Sequence, residues 1–501
     1  LQNPLQELRA LDHEIVLLKH VSALLGWDQE TYLPSKGIEE RAEQISAVET
    51  LIHEKIISPR TQDILEAAFN AEETEQSSDP SIQAAFLREW KRTYERAVKI
   101  PSRLVSRFAH ATSIGQARWA KAREESSYSL FKPFLKEILV LSREIASALG
   151  YKDSPYDPLL DGYEPGMTGK EIEAVFDQLQ KELLPLLKEL LKLPKPKTDF
   201  LYLPMSNEDQ ERFGKRILEA MGFPWDRGRL DISAHPFTTT LGSDDVRITT
   251  RYNPNYFPTS LFGIIHEAGH GLYELGFSSF IRGTILADGI SMGIHESQSR
   301  FWENCVGRSV PFWKYWYPVL QKEYLPALES VPLKDFLQAV NRVEASPIRI
   351  EADEVTYPLH ILLRFRLEKA LIENSLDLED LPDAWNDGME ELLGIKPRND
   401  SEGVLQDIHW SMGNFGYFPT YALGTLYAAQ FYAALLREKP EVVQEIERGD
   451  YCTLLSWLRE EIHVHGRVYP ADELCRRITG SSLDPGWFIQ YVRDKYRVLF
   501  S

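Results

Sequence analysis

Cysteine is scarce and poorly placed for cross-linking. The 501-residue chain has three, Cys305, Cys452 and Cys475. An odd number spread this widely predicts no disulfide framework and makes a reducing compartment the expected setting. Positive charge is in deficit as well. Against 75 acidic residues stand 56 Lys and Arg, a net charge of −19, which argues against a nucleic-acid partner, whose phosphates need clustered cations. Long apolar runs are also missing. The longest uncharged one, Tyr421 to Leu436, falls short of the ~20 residues that cross a bilayer and contains Gln430, so it reads as a buried helix. The opening residues do not compose a signal peptide, because Glu7, Arg9, Asp12, Glu14 and Lys19 interrupt the apolar positions. The expectation is a cytoplasmic protein with no membrane partner.

What is present is a large supply of core residues, 43% hydrophobic, arranged mostly at helical spacing. Leu5, Leu8, Leu11, Ile15, Leu18 and Val21 form an apolar stripe over 5–26, with Trp27-Asp28 and then Tyr32-Leu33-Pro34 as the expected stop. Helical patterns follow over 38–56, 60–71, 82–99, 101–126 and 129–149, with an acidic, Ser-rich loop at 72–81. From Gly150 to Thr168 the chain is rich in Pro, Gly, Asp and aromatics, an ordered connection. Thr168 and Glu171 then make a capping box for a helix over 169–192. The one strand candidate, Asp245 to Tyr252, is β-branched and alternating, and is expected to be an edge strand lining a cleft. After 310 helical patterns dominate, and no repeat of fixed period appears. The predicted fold is mainly α with a small β-sheet. It is expected to form one unit over 1–501, with a helical cap region at 1–150 and a second region at 151–501.

Within this plan, Pro258 to Gly276 contains His266-Glu267-Ala268-Gly269-His270. On a helix, positions i and i+4 share a face, so His266 and His270 can offer two imidazoles to one metal ion. Glu267 lies about 100° round the helix, within reach of a water at that metal. Two histidines bonded to backbone in a buried helix would be the structural alternative. A catalytic zinc takes three protein ligands and keeps one position open. The third is assigned to Glu296, on a helix that Ser291 caps, in the two-His-one-Glu manner of thermolysin-like (gluzincin) peptidases. His295 and Glu303 are rival ligands. A third His six residues after His270 is excluded, because position 276 is Gly.

The chain resembles the carboxypeptidase Taq family of metallocarboxypeptidases. The resemblance is carried by His235-Pro236-Phe237, Asp245-Val246-Arg247-Ile248-Thr249, His266 to His270, His295 to Ser299, Ile348 to Asp353 and Gly403 to Trp410. Leu25 to Asp28 and Tyr156 to Thr168 extend it to nearly the whole chain. It implies a mostly helical fold with a long substrate groove, release of the C-terminal residue from peptides, a divalent metal (zinc first, cobalt as the alternative) and a homodimer.

Each further motif has a physical reading beside the resemblance. Capture of a terminal carboxylate suits a bidentate Arg, assigned to Arg349 with Arg247 next; the structural alternative pairs Arg349 with Glu351 or Glu354. His409 and Tyr421 are assigned to donate to the oxyanion, with Tyr417 as the alternative to Tyr421. His235, held extended by Pro236, is assigned to contact substrate backbone. Asp407 either orients His409 or bonds a ligand histidine. The predicted function is hydrolysis of the C-terminal peptide bond of peptides, with broad specificity, by metal-activated water and with Glu267 as general base. The rivals are an oligopeptide endopeptidase, a dipeptidyl carboxypeptidase and a non-catalytic metal-stabilised peptide-binding scaffold.

Overall fold

The computed structural model describes residues 3–72 and 80–500. Helix α1 (Pro4–Thr31) starts where Asn3 Oδ1 accepts from the Leu5 N–H and Pro4 fills the first turn. It does not stop at Trp27-Asp28. Neither side chain denies the helix a backbone bond, and both fit it; the helix ends only as Pro34 nears, with the Tyr32 and Leu33 N–H groups closing on Asp28 O. Helices Ile38–Ile56, Pro59–Glu72, Pro80–Lys99, Ser102–Glu124 and Tyr128–Leu149 follow the predicted periodicity closely. Of the loop expected at 72–81, residues 73–79 lie outside the described residues. The capping box at Thr168 and Glu171 is formed and starts the helix Gly169–Leu190.

The sheet differs from expectation in that two of its three strands, Gly228–Ile232 and Thr238–Gly242, are not among the predicted strands, and in where the predicted one lies. Its strands β1 (Gly228–Ile232), β2 (Thr238–Gly242) and β3 (Asp245–Thr250) lie in the order β1-β3-β2, with β1 parallel and β2 antiparallel to β3. The segment predicted as an edge is therefore β3, the central strand. Val246, Ile248, Thr249 and Thr250 are all buried, the burial of a strand paired on both sides rather than of a half-solvated rim. The edge that packs on the helix carrying His266 and His270 is β2.

That helix, α2 (Pro258–Glu274), is followed by α3 (Met292–Arg300), which runs on into a π-helical turn, Phe301–Gly307. Behind them lie α4 (Tyr357–Ile372) and α5 (Pro419–Glu438). Two glycines let these helices touch backbone to backbone. A Cβ at Gly269 would sit 2.5 Å from Gln298 O on α3, and one at Gly424 would sit 2.5 Å from Glu296 Cγ. The ordered connection after Gly150 reaches the same place: Tyr163 O accepts from the Met292 N–H and the Glu164 carboxylate from the Gly293 N–H, at the start of α3. Buried apolar residues form a continuous cluster from Leu5 to Leu499. No helix among the described residues is long and apolar enough to cross a membrane.

Candidate metal centre

His266 and His270 share one face of α2, whose Leu261, Ile264, Ile265 and Leu272 are buried on the others. Glu296 comes in from α3. Its Oε2 lies 3.6 Å from His266 Nε2 and 3.4 Å from His270 Nε2, and the three ligand atoms all fall within 4.8 Å of one another. Donors ~2.0–2.1 Å from a shared cation at tetrahedral angles are separated by about 3.3–3.4 Å. Two imidazole nitrogens and one carboxylate brought this close fit a divalent cation.

The donors are held from behind. His266 Nδ1 lies 2.9 Å from Glu303 Oε2, and His270 Nδ1 lies 2.6 Å from His295 Nδ1. The two rival ligands thus stand on the far sides of the two histidines and face away from the point where the Nε2 atoms converge. Arg300 Nε donates to Glu296 Oε1 at 2.7 Å, while Arg300 and Arg308 both donate to Glu303. Burial alone would push Glu296 and Glu303 up. It is outweighed at Glu296 by Arg300 and the two histidines, and at Glu303 by the His266 bond with Arg300 and Arg308, so both stay ionised well below the usual carboxylate range. Burial, with His295 adjoining, lowers His270 to about 3, which keeps the imidazole neutral and able to donate a lone pair.

Glu267 is only 7% exposed. Its Oε2 accepts from Thr238 Oγ1 at 2.7 Å, a bond from edge strand β2. Burial raises its pKa, against the opposing pull of His266 and Thr238; a carboxylate shifted upward is a better proton acceptor.

A second cluster adjoins the first. Arg349 donates through Nε and Nη2 to Asp407 Oδ1 at 2.9 and 2.8 Å and through Nη1 to Tyr357 Oη at 2.7 Å. Arg364, on α4 and fully buried, donates to Asp407 Oδ2 at 2.6 Å. Asp407 therefore holds two arginines, the partnership that neither assignment made for it from sequence supplies; Glu354, offered as the structural partner of Arg349, pairs with Lys495. Two guanidiniums share one carboxylate, leaving one positive charge in excess. Burial, together with Arg349 and Arg364, outweighs Asp407 and lowers His409 to about 4, so that ring adds no charge. Tyr357 joins the clusters, with its hydroxyl on Arg349 and its ring 4.7 Å from the Arg300 guanidinium.

His409 Nε2 lies 3.2 Å from Tyr421 Oη, and the Tyr417 ring contacts both. His235 is exposed on the loop that leads into β2, its carbonyl accepting from Ser233 Oγ. Arg247 is engaged elsewhere: it chelates Asp245 and stacks 4.2 Å over Trp27 of α1. Sequence reasoning missed Thr238, Glu274, Arg300, Tyr357 and Arg364. Glu274 and Arg300 carried a usable signal, each four residues beyond a ligand on the same helical face. Thr238 carried none, since only the strand–helix contact brings it to Glu267.

The same chain can be set beside known proteins. A family-wide sequence profile described as carboxypeptidase Taq (M32) metallopeptidase matches residues 7–496. Thermostable carboxypeptidase 1 of Thermus thermophilus is 42% identical over 506 residues, covering 99% of this chain and 98% of the relative. Carboxypeptidase 1 of Bacillus subtilis is 39% identical over 97% of both chains. Among solved structures, the M32 carboxypeptidase of Deinococcus radiodurans superposes with a TM-score of 0.95 at 36% identity over 99% of both chains. A Pyrococcus furiosus carboxypeptidase gives 0.95 at 39% identity, also over 99% of both.

Proposed function

The chain belongs to the carboxypeptidase Taq (M32) metallopeptidase family and is a metal-dependent carboxypeptidase acting on peptides; from that premise we propose how its residues divide the work. His266, His270 and Glu296 would hold one divalent cation, with zinc favoured by the two-nitrogen, one-carboxylate donor set and cobalt as the alternative. When bound, such a cation supplies Lewis acidity that lowers the pKa of water and polarises the scissile carbonyl.

Glu267 takes the proton from the attacking water and passes it to the departing amine. Thr238 fixes one of its oxygens, which leaves the other for the transfer. Tyr421, with His409 and Tyr417 packed on it, donates to the carbonyl oxygen as it gains charge. Arg349 receives the substrate's terminal carboxylate. Asp407 cannot neutralise Arg349 and Arg364 together, so a second carboxylate is electrostatically welcome there. His235 contacts substrate backbone from the loop ahead of β2. Arg247 is left with a supporting role between α1 and β3. The observation that supports this reading is that Tyr357 bridges the two clusters, its hydroxyl accepting from Arg349 while its ring lies 4.7 Å from the Arg300 guanidinium that donates to Glu296.

The same reading proposes a single catalytic unit over 1–501 capped by 1–150, a homodimer and a cytoplasmic location. The test is hydrolysis of an N-blocked tripeptide and its C-terminally amidated twin, with and without chelator and with zinc or cobalt restored. Cleavage of the free acid alone, lost on chelation and regained with metal, is expected. Arg349→Lys should lower kcat/KM on the free acid by about 10²-fold, as the bidentate contact becomes a point charge. Equal cleavage of the twin would overturn the role of Arg349 and point to an endopeptidase.

A further inference from the structure

We propose that Glu274 and His295 form a proton-orienting chain that fixes His270 in the tautomer whose Nε2 lone pair faces the cation site. The proposal rests on His270 being a ligand. The two ligand histidines are supported differently. His266 Nδ1 meets a carboxylate directly, at Glu303. His270 Nδ1 meets another imidazole, which by itself leaves the direction of the bond open, because a neutral ring carries its single N–H on either nitrogen.

The far side of His295 resolves that choice. Its Nε2 lies 2.8 Å from Glu274 Oε1, and the other oxygen of Glu274 accepts from Thr240 Oγ1 at 2.9 Å. A carboxylate only accepts, so a neutral His295 holds its single proton at Nε2 and presents a lone pair at Nδ1. At 2.6 Å from that lone pair, His270 Nδ1 must be the donor. Its Nε2 is then unprotonated and faces Glu296 Oε2 at 3.4 Å. The reverse tautomer would place a proton on His270 Nε2, where it blocks ligation.

Packing keeps the His295 ring from turning over. A Cβ at Gly289 would lie 3.0 Å from His295 Cδ2, and the Tyr273 ring stands edge-on at 5.3 Å. A flipped ring would also face His270 and Glu274 with carbon. Glu274 and His295 are positioning residues here. Neither touches the reacting atoms, and the chain ends on Thr240 of β2, the strand whose Thr238 holds Glu267.

The experiment uses full-length enzyme stripped by chelator and measures zinc affinity by competition with a chromophoric chelator. Glu274→Ala and His295→Phe should each weaken zinc by 10–100-fold. The double variant should be no weaker than the weaker single, since both break one chain. Zinc affinity of Glu274→Ala equal to wild type, or fully additive losses, would overturn the proposal. His270→Ala separates the two readings: if it binds zinc as tightly as wild type, the ligand assignment fails, not the chain. Should a variant fail to fold, ¹⁵N-histidine NMR of the unmutated, metal-free protein decides. His270 is expected as the Nδ1–H tautomer and His295 as Nε2–H, and the opposite pair of tautomers would overturn the proposal.

Discussion

At the scale of single residues, the proposed chemistry turns on Glu267. It sits one position from the proposed ligand His266, is buried, and is braced by one hydroxyl from another element. Glu267→Gln keeps the shape and an acceptor for Thr238 but removes the basicity. Turnover should fall by about 10²–10⁴-fold while zinc stoichiometry stays unchanged, measured by kcat and metal analysis on the same sample. Near-normal turnover in a zinc-loaded variant would remove Glu267 from the mechanism. Glu267 could be picked out of the chain because its position is fixed by local spacing on one helix. Thr238 could not, because the two residues are 29 apart and meet only across the strand–helix contact.

Among elements, the centre depends on how closely three helices approach. Gly269 and Gly424 remove the side chains that would hold α2 and α5 away from α3. At Gly269 the obstacle to a methyl group is backbone, Gln298 O and Ser299 Cα, which cannot swing aside as a side-chain tip can. Gly269→Ala should therefore cost about 1–3 kcal/mol of stability. It should also weaken zinc, because α2 and α3 carry the two parts of the ligand set. Thermal unfolding and zinc competition on the same variant check both. Full stability with unchanged affinity would mean that the helices yield more readily than their contact indicates. The strand behind this arrangement also shows where local pattern misleads. Alternation over Asp245–Thr250 identified a strand, but an alternating segment does not reveal how many neighbours it will have; pairing with β1 and β2 made it central.

On the scale of the whole molecule, α1 is tied to the body that carries the metal site. Asp12, 1% exposed, accepts from Trp90 Nε1 and from the Ile285 N–H. Burial, opposed by those bonds and by Lys19 and His13, raises its pKa from 3.8 to about 6. The folded state then binds the proton more tightly than the unfolded chain. Its contribution to stability is complete below about pH 3.8 and is lost as pH rises through about 6. At ~1.4 kcal/mol per pK unit the loss is about 3 kcal/mol. Asp12→Asn cannot titrate, so the stability of wild type relative to this variant should fall between pH 4 and 6 and then level off, as followed by denaturant unfolding. A constant difference across that range would show that Asp12 ionises normally in the fold.

The sequence by itself determined the helical class, most helix boundaries, the capping box at Thr168, and His266, Glu267 and His270, because each depends on residues within a few positions of one another. The placement of Glu296 as third donor lay at the limit of that reach, one helix away. Only tertiary structure decided that His295 and Glu303 stand behind the ligands, that Asp407 serves two arginines, and that Arg247 is spent on Trp27. The physical reason is the same in each case. A buried charge or ring nitrogen takes whichever complementary partner packing brings within about 3 Å. Partners such as Arg349 and Asp407, 58 residues apart in the chain, are neighbours only once the helices have closed.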